Sequence, residues 1–265
     1  MADQLKYESA NGIGTILLNR PDALNAFSPE MTEALLEATE KFERDPDVRC
    51  VVLRAAGEHF QAGGDVKALH RSLTEDRERH FAGMERRVVN GHLAIHRLRR
   101  MQKPVLAVVQ GAAAGFGVSL VAAADLAIAA DNSYFTLAYC HIGLSADGGA
   151  SYFLPRLIGE RRAMEVALLG ERISAQKALE WGLINWIAPA ADLDTQANKI
   201  AQRLAAGATK SLGLAKTLFR NSLDRTWDEQ SAREAETIAQ AIRTEDHLEG
   251  VTAFVEKRKP RFAGR

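Results

Sequence analysis

Apolar residues in the first half of the chain fall into short runs of β type, separated by stretches with the period of a helix. Ile13–Leu18 reads as a strand, and residues 48–54 as a buried one. Between them Pro29–Arg44 reads as an amphipathic helix, opened by Ser28 as N-cap with Pro29 at the first helical position. A charged helical stretch over 67–101 follows, then a strand at Val105–Val109, an alanine-rich helix after Gly117, and strands at Leu126–Ala130 and 134–137. Short strands separated by helices predict parallel pairing with buried faces. From Ser174 onward the pattern is helical, broken at Gly182 and Pro189, with a long polar and amphipathic tail over 195–257. No repeat, low-complexity tract or flexible linker interrupts it. The expectation is an α/β core over residues 1–195 and a smaller helical lobe over 196–265 packed on it.

Two glycine turns stand out in this pattern. Gln61-Ala62-Gly63-Gly64-Asp65-Val66 follows the apolar run ending at Leu53, and Gly111 to Gly117 follows Val105–Val109; each leads into a helix-compatible stretch. Residues without bulky side chains let a ligand approach the main chain, and helix N-termini carry partial positive charge. Two such turns can aim two backbone N–H groups at one oxygen atom, which is an oxyanion hole built from backbone. Taken singly, each cluster reads equally well as a tight turn.

Composition narrows the classes. The 265 residues hold 34 Lys+Arg against 34 Asp+Glu, so no global field recruits nucleic acid or an anionic membrane. With only Cys50 and Cys140, there is no disulfide framework. The opening MADQLKYESANG lacks a basic region followed by an apolar stretch, and no apolar run approaches membrane-spanning length. The expectation is a cytoplasmic protein. No Walker-type loop is present, Gly115-Phe116-Gly117 lacks the rest of a dinucleotide fingerprint, and no Cys/His grouping has the spacing of metal ligands.

The motifs taken together resemble a known family. Asn19-Arg20-Pro21 with Asn25-Ala26, the turn at Gly63-Gly64, the turn from Gly111 to Gly117 closing at Ala124-Asp125, Gly143-Leu144 through Leu154-Pro155-Arg156, the segment from Ala178 to Leu183, and Ala253 to Arg258 are similar, in order and over essentially the whole chain, to the crotonase superfamily of enoyl-CoA hydratases and isomerases. The resemblance implies a spiral core of ββα units over 1–195 holding the acyl-CoA site. It implies a C-terminal helical lobe over 196–265 for oligomerisation and coenzyme contact, with the chain forming trimers or hexamers. Acyl-CoA thioesters are then the substrates, with coenzyme A entering as part of the substrate and no separate cofactor. A thioester carbonyl held by two backbone donors loses a neighbouring proton more readily, because the resulting enolate is stabilised. By motif position the donors are the N–H groups of Gly64 and Phe116.

The sequence departs from the hydratases of this family where they carry two glutamates, since Ser119 and Tyr139 fall there. Paired carboxylates divide the work of adding water across a double bond, and neither of these residues is a carboxylate. Asp147, before the helix that begins near Ser151, resembles the catalytic aspartate of epoxyphenylacetyl-CoA isomerases of the phenylacetate pathway and related enoyl-CoA isomerases. It also resembles the nucleophilic aspartate of 4-chlorobenzoyl-CoA dehalogenase. One carboxylate suffices to take a proton from one carbon and return it to another. An Asp-Gly pair is also a common turn and helix cap, which is the plainer reading of Asp147.

Other groups carry two readings each. Tyr139 can donate to a polar acyl group or line a wall; Ser119 can hold a water or open space for a bulky acyl group; Glu78 and Glu85 can supply a carboxylate or form a solvated face. His141 reads as an ordinary hydrogen-bonded histidine. For the coenzyme, the resemblance places Leu24 and Ala26 near its pantetheine or adenine end, and Ala62, Asp65, Val66 and Lys67 along the pantetheine arm. It places Phe254 and Lys257 against the nucleotide of a neighbouring subunit. The leading expectation is double-bond or ring isomerisation with Asp147 as base. The alternatives are hydration of an unusual branched or terpenoid enoyl-CoA and, from another class, an acyl-CoA or RNA binder without catalysis. Clustered arginines at Arg86-Arg87, Arg97 and Arg99-Arg100 suit phosphates, but interleaved acids favour a solvated or subunit-facing helix.

Overall fold

The computed structural model describes residues 4–265. In chain order it forms β1 (Leu5–Ala10), β2 (Ile13–Leu18), α1 (Pro29–Arg44), β3 (Cys50–Ala55), β4 (Gln61–Ala62), α2 (Val66–Glu75), α3 (Arg77–Arg100), β5 (Val105–Val109), β6 (Ala112–Ala114), α4 (Phe116–Ala123), β7 (Leu126–Ala130) and β8 (Tyr134–Thr136). Then come α5 (Ala150–Ile158), α6 (Glu160–Leu169), β9 (Ile173–Ser174), α7 (Ala175–Trp181), β10 (Trp186–Ala188), α8 (Leu193–Ala205), α9 (Thr209–Asn221), α10 (Trp227–Ala241) and α11 (Glu245–Val255). This is the expected α/β class, with repeated strand-strand-helix units.

Six strands make the main sheet in the order β1-β2-β3-β5-β7-β10, parallel throughout except for the β1–β2 hairpin. A second sheet, β4-β6-β8-β9, is parallel from β4 to β8 and lies beyond the ends of the first. The central strands are apolar on both faces, as two covered faces require. Val51 and Leu53 of β3, Val105, Ala107 and Val109 of β5, and Ala127 and Ala129 of β7 join the large core with α1, α3 and α4. Their alternate neighbours Cys50, Val52, Leu106, Val108, Ile128 and Ala130 pack instead on Leu193, Ala197, Ala201 and Ala205 of α8. The boundary expected at residue 195 therefore falls inside a helix that seals the sheet.

Three further details depart from the sequence reading. The charged stretch over 67–101 is two helices, because Asp76 ends one and starts the next: its N–H closes α2 on the Ser72 carbonyl while its carboxylate accepts from Arg79 N–H and caps α3. Strand β10 lies inside the stretch read as helical; Trp186 to Ala188 pair with β7. The short strands β4 and β6 stand between the apolar runs and the glycine turns. Their sequences, Gln-Ala and Ala-Ala-Ala, carry no β-branched or aromatic signal, so tertiary pairing decides them.

The C-terminal helices are fastened to this core through Asp125, at the foot of β7. Its carboxylate accepts from Val105 N–H at 2.8 Å and pairs with Lys216 at 2.9 Å and Arg220 at 2.5 Å, both on α9. All three charged side chains are largely buried, so removing the anion strands two cations. Asp125→Ala is expected to destabilise the fold by about 3–5 kcal/mol, measured as a lower urea midpoint at unchanged slope; a loss within experimental error contradicts this role.

Candidate functional site

The two glycine turns meet because β4 and β6 are neighbours. Register pairs Gln61 with Ala113 and Ala62 with Ala114, so two residues further on Gly64 comes beside Phe116. The backbones approach so closely that a Cβ on Gly115 would lie 3.4 Å from Gly63 Cα, and one on Gly117 would lie 2.6 Å from the Gln61 carbonyl oxygen. Gly63 and Gly115 both have positive φ, at 86° and 52°, which a residue without Cβ adopts freely. The first turn is clamped by a buried amide: Gln61 Nε2 donates to Gly63 O at 2.8 Å, and Gly63 N–H donates to Gln61 Oε1 at 2.9 Å. Phe27 N–H holds the same turn from the other side through Gly63 O.

The Gly64 and Phe116 N–H groups donate to no acceptor among the described residues. The second lies at the first position of α4, where the helix leaves its amides unused and carries partial positive charge. The Phe116 ring turns inward, stacked on Phe27 with centroids 4.5 Å apart and packed against Gly91 and Gly148. That ring brings the Gly148 loop, and Asp147 with it, against α4.

Asp147 is held on three sides. Tyr139 Oη donates to its Oδ1 at 2.5 Å, Ser119 Oγ donates to its main-chain oxygen at 2.8 Å, and the next amide, Gly148 N–H, donates to His92 Nε2 at 2.9 Å. The Tyr139 hydroxyl end also lies about where Gly115 would carry its side chain, 3.6 Å from that Cβ position. One phenol therefore touches both the carboxylate and the turn that bears the Phe116 N–H. Burial, and then the Asp147 charge, push the Tyr139 pKa well above its ordinary value, so the phenol stays a donor. Arg87, half-buried on α3, faces the Asp147 and Asp65 carboxylates; burial lowers its pKa and the two acids oppose that shift.

The structure thus gathers Gly64, Phe116, Ser119, Tyr139 and Asp147. Ser119 is fully buried and its hydroxyl is committed to the Asp147 carbonyl, a loop fastener that neither reading of the sequence anticipated. Ala62, Asp65, Val66 and Lys67 flank the glycine turn in the chain, and the segment of Leu24, exposed, and Ala26, buried, is hydrogen-bonded to it. Asp65 caps α2 through Ala68 N–H and pairs with Arg20 at 3.1 Å, contacts that lower its pKa, the cap foremost. Ala62 N–H donates to Leu24 O, which ties the two segments together. Phe254 is 85% exposed, and Lys257, which follows α11 with φ of 56°, donates its N–H to the Phe254 carbonyl at 3.2 Å. Glu78 and Glu85 point to solvent on α3, and His141 Nε2 lies 3.3 Å from the Gly170 carbonyl. Gln61 and His92 were missed, and Arg87 was read only within a cluster of arginines suited to phosphates. The buried-looking Gln61 before two glycines is a signal that a clamp leaves; His92 on a charged helix leaves none.

A cleft of about 410 Å³ runs between α1, α2 and α3, its wall mixing Leu69 and Met84 with Glu33, Arg86, Arg87 and Asn90; Leu69 also lies 3.6 Å from the Cβ position of Gly64. The size of the cleft suits a small organic group. The arrangement leaves the Gly64 and Phe116 amides without an acceptor among the described residues, and it orients the Asp147 carboxylate through the Tyr139 hydroxyl.

The family model described as enoyl-CoA hydratase/isomerase matches residues 8–265. The chain is 38% identical to the 1,2-epoxyphenylacetyl-CoA isomerase of Escherichia coli strain K12, over 96% of each chain. It is 32% identical to the trans-2-decenoyl-[acyl-carrier-protein] isomerase of Streptococcus mutans, over 99% of this chain and 98% of the other. The crystal structure of an enoyl-CoA hydratase from Polaromonas sp. JS666 superposes with a TM-score of 0.90 at 35% identity, covering 97% of this chain and 99% of that one. The chain belongs to the enoyl-CoA hydratase/isomerase family, the crotonase superfamily of acyl-CoA enzymes.

Proposed function

We propose that this enzyme isomerises an acyl-CoA thioester by moving a proton, or opening a ring, through a thioester enolate, with Asp147 as its single base. The observation that carries the reading is the single carboxylate held beside the turn bearing the Phe116 N–H, with Tyr139 and Ser119 at the two positions where a hydratase would carry glutamates. The thioester oxygen accepts from Gly64 and Phe116 N–H. The Asp147 carboxylate takes a proton from a carbon next to the carbonyl or two carbons beyond it. The electron pair left behind moves into the carbonyl, and the resulting oxyanion is stabilised by the two amides. Protonated Asp147 then returns the same proton to the other end of the conjugated system, so no water is consumed. Tyr139 keeps its proton and fixes the carboxylate orientation. The acyl group occupies the cleft between α1, α2 and α3, with the segments 24–26 and 62–67 along the pantetheine arm. Coenzyme A enters as part of the substrate, and the activity is placed in the cytoplasm. The E. coli and Streptococcus relatives, both named as isomerases, favour this choice.

The C-terminal helices support self-association. Phe219, Leu223, Trp227, Ile238, Ile242 and Leu248 expose large apolar side chains along α9 to α11, far more than a lone subunit hides comfortably. A trimer or hexamer would cover them and carry Phe254 and Lys257 to a neighbour's nucleotide. Sedimentation analysis is expected to give a mass that is a multiple of three chains; a monomer at micromolar concentration overturns this.

The isomerase reading is tested by mass spectrometry and NMR of products in deuterated water, offering 3-enoyl, 2-enoyl and 1,2-epoxyphenylacetyl thioesters. Isomer without gain of water is expected, with Asp147→Asn slower by about 10²–10⁴-fold. Addition of water to a 2-enoyl thioester that survives in Asp147→Asn sinks the reading in favour of a hydratase. Tyr139→Phe frees the carboxylate without removing it, and kcat is expected to fall by about 10–100-fold at nearly constant KM. An unchanged kcat would make Tyr139 a wall residue only.

A further inference from the structure

A second cleft, of about 450 Å³, opens on the opposite side of the Gly148-Gly149 loop, between α3, α5 and α9. Its walls present Arg99, Arg220, His92, His96, Asn221 and Tyr152. Arg100, also there, already pairs with Glu43. Arg99 has no such partner, and Arg220, though paired with Asp125, keeps one nitrogen unused. Arg99, half-buried in the last turn of α3, donates to no acceptor among the described residues and lies 4.5 Å from the centroid of the Phe153 ring. Arg220 spends Nε and Nη2 on Asp125 and the Ala123 carbonyl, while its Nη1 is buried without a partner.

The local charge does not cancel. Arg99, Arg220, Lys216 and Arg156 face two carboxylates, Asp125 and Asp224. Burial and the neighbouring Arg220 together pull the Arg99 pKa down to about 10. Two guanidiniums beside one cleft, one with an idle buried N–H, are a costly arrangement without an anion and a receptive one with it.

We propose that this cleft is a binding site for an oxyanion, carboxylate or phosphate, held by Arg99 and Arg220 with Asn221 and His96 at its edge. The anion is either a small free molecule or the acidic far end of an acyl chain. The site is distinct from the pair of amides at Gly64 and Phe116. It nevertheless adjoins the loop of Asp147: Gly148 and Gly149 line the cleft, and His92, in its wall, accepts the Gly148 N–H. An anion here draws on His92 and so bears on the loop through one hydrogen bond.

Isothermal titration calorimetry with succinate and with inorganic phosphate, at ionic strength held constant with chloride, tests the site directly and needs no turnover. Saturable binding is expected in the wild-type oligomer, weakened by about tenfold or more in Arg99→Met, with Arg99→Lys intermediate. Should the methionine variant misfold, the lysine variant still reads the loss of the planar fork. Absence of saturable binding, or equal affinity in wild type and both variants, overturns the proposal and leaves the positive charge to be balanced within the assembly. Where binding occurs, displacement of phosphate by a thioester ending in a carboxylate, but not by one ending in a methyl group, assigns the site to the substrate. Phosphate retained in the presence of both thioesters assigns it to a free anion. A failure of Asp147→Asn to slow isomerisation leaves these binding results standing.

Discussion

Everything at the site follows from two backbones being allowed to touch. A side chain at Gly117 would collide with the Gln61 carbonyl, and one at Gly115 would crowd Gly63, so the second sheet forms only where the two turns lack side chains. That contact sets the turn of Gly63-Gly64 against the turn of Gly115-Phe116, which in the proposed reaction would place both amides before any ligand arrives. Donors built this way need little reorganisation as charge develops, and such preorganisation is a major source of electrostatic catalysis. The main sheet contributes rigidity: its central strands are buried on both faces, between the large core and α8.

The Asp147 loop is held by a different kind of constraint. Gly148 and Gly149 are both in the left-handed region, which gives the chain a sharp entry to α5, and the Phe116 ring and Ser119 leave Gly148 no room for a Cβ. Three hydrogen bonds from three elements then fix the loop: Tyr139 after β8, Ser119 on α4 and His92 on α3. Each anchor comes from a segment whose position depends on the sheets, so the carboxylate inherits their precision.

Much of this was legible in the sequence. Strands with a strong apolar run and no competing reading, Val105–Val109 and Leu126–Ala130, match residue for residue, as does α1 with its Ser28 cap. The pair of glycine turns pointed to two close backbones, and Gly63 and Gly115 do approach, although either turn alone reads as an ordinary tight turn. What stayed hidden was decided by contacts distant in sequence. Strands β4 and β6 are too short and too poor in side chains to signal themselves, and β10 exists because β7 offers an open edge. Ser119 looked like a choice between water and space; its partner is a main-chain carbonyl 28 positions away, which no local pattern can reveal. His92 is one of several polar residues on a charged helix until the fold brings Gly148 to it.

The hydroxyl of Ser119 has a wider implication. In the proposed reaction Ser119, at the position where the resemblance puts an acid of the hydratases, is a pin that holds the backbone of the base. An acid placed at 119 would unfasten the loop at 147, so the side chain at one position sets what the other can do.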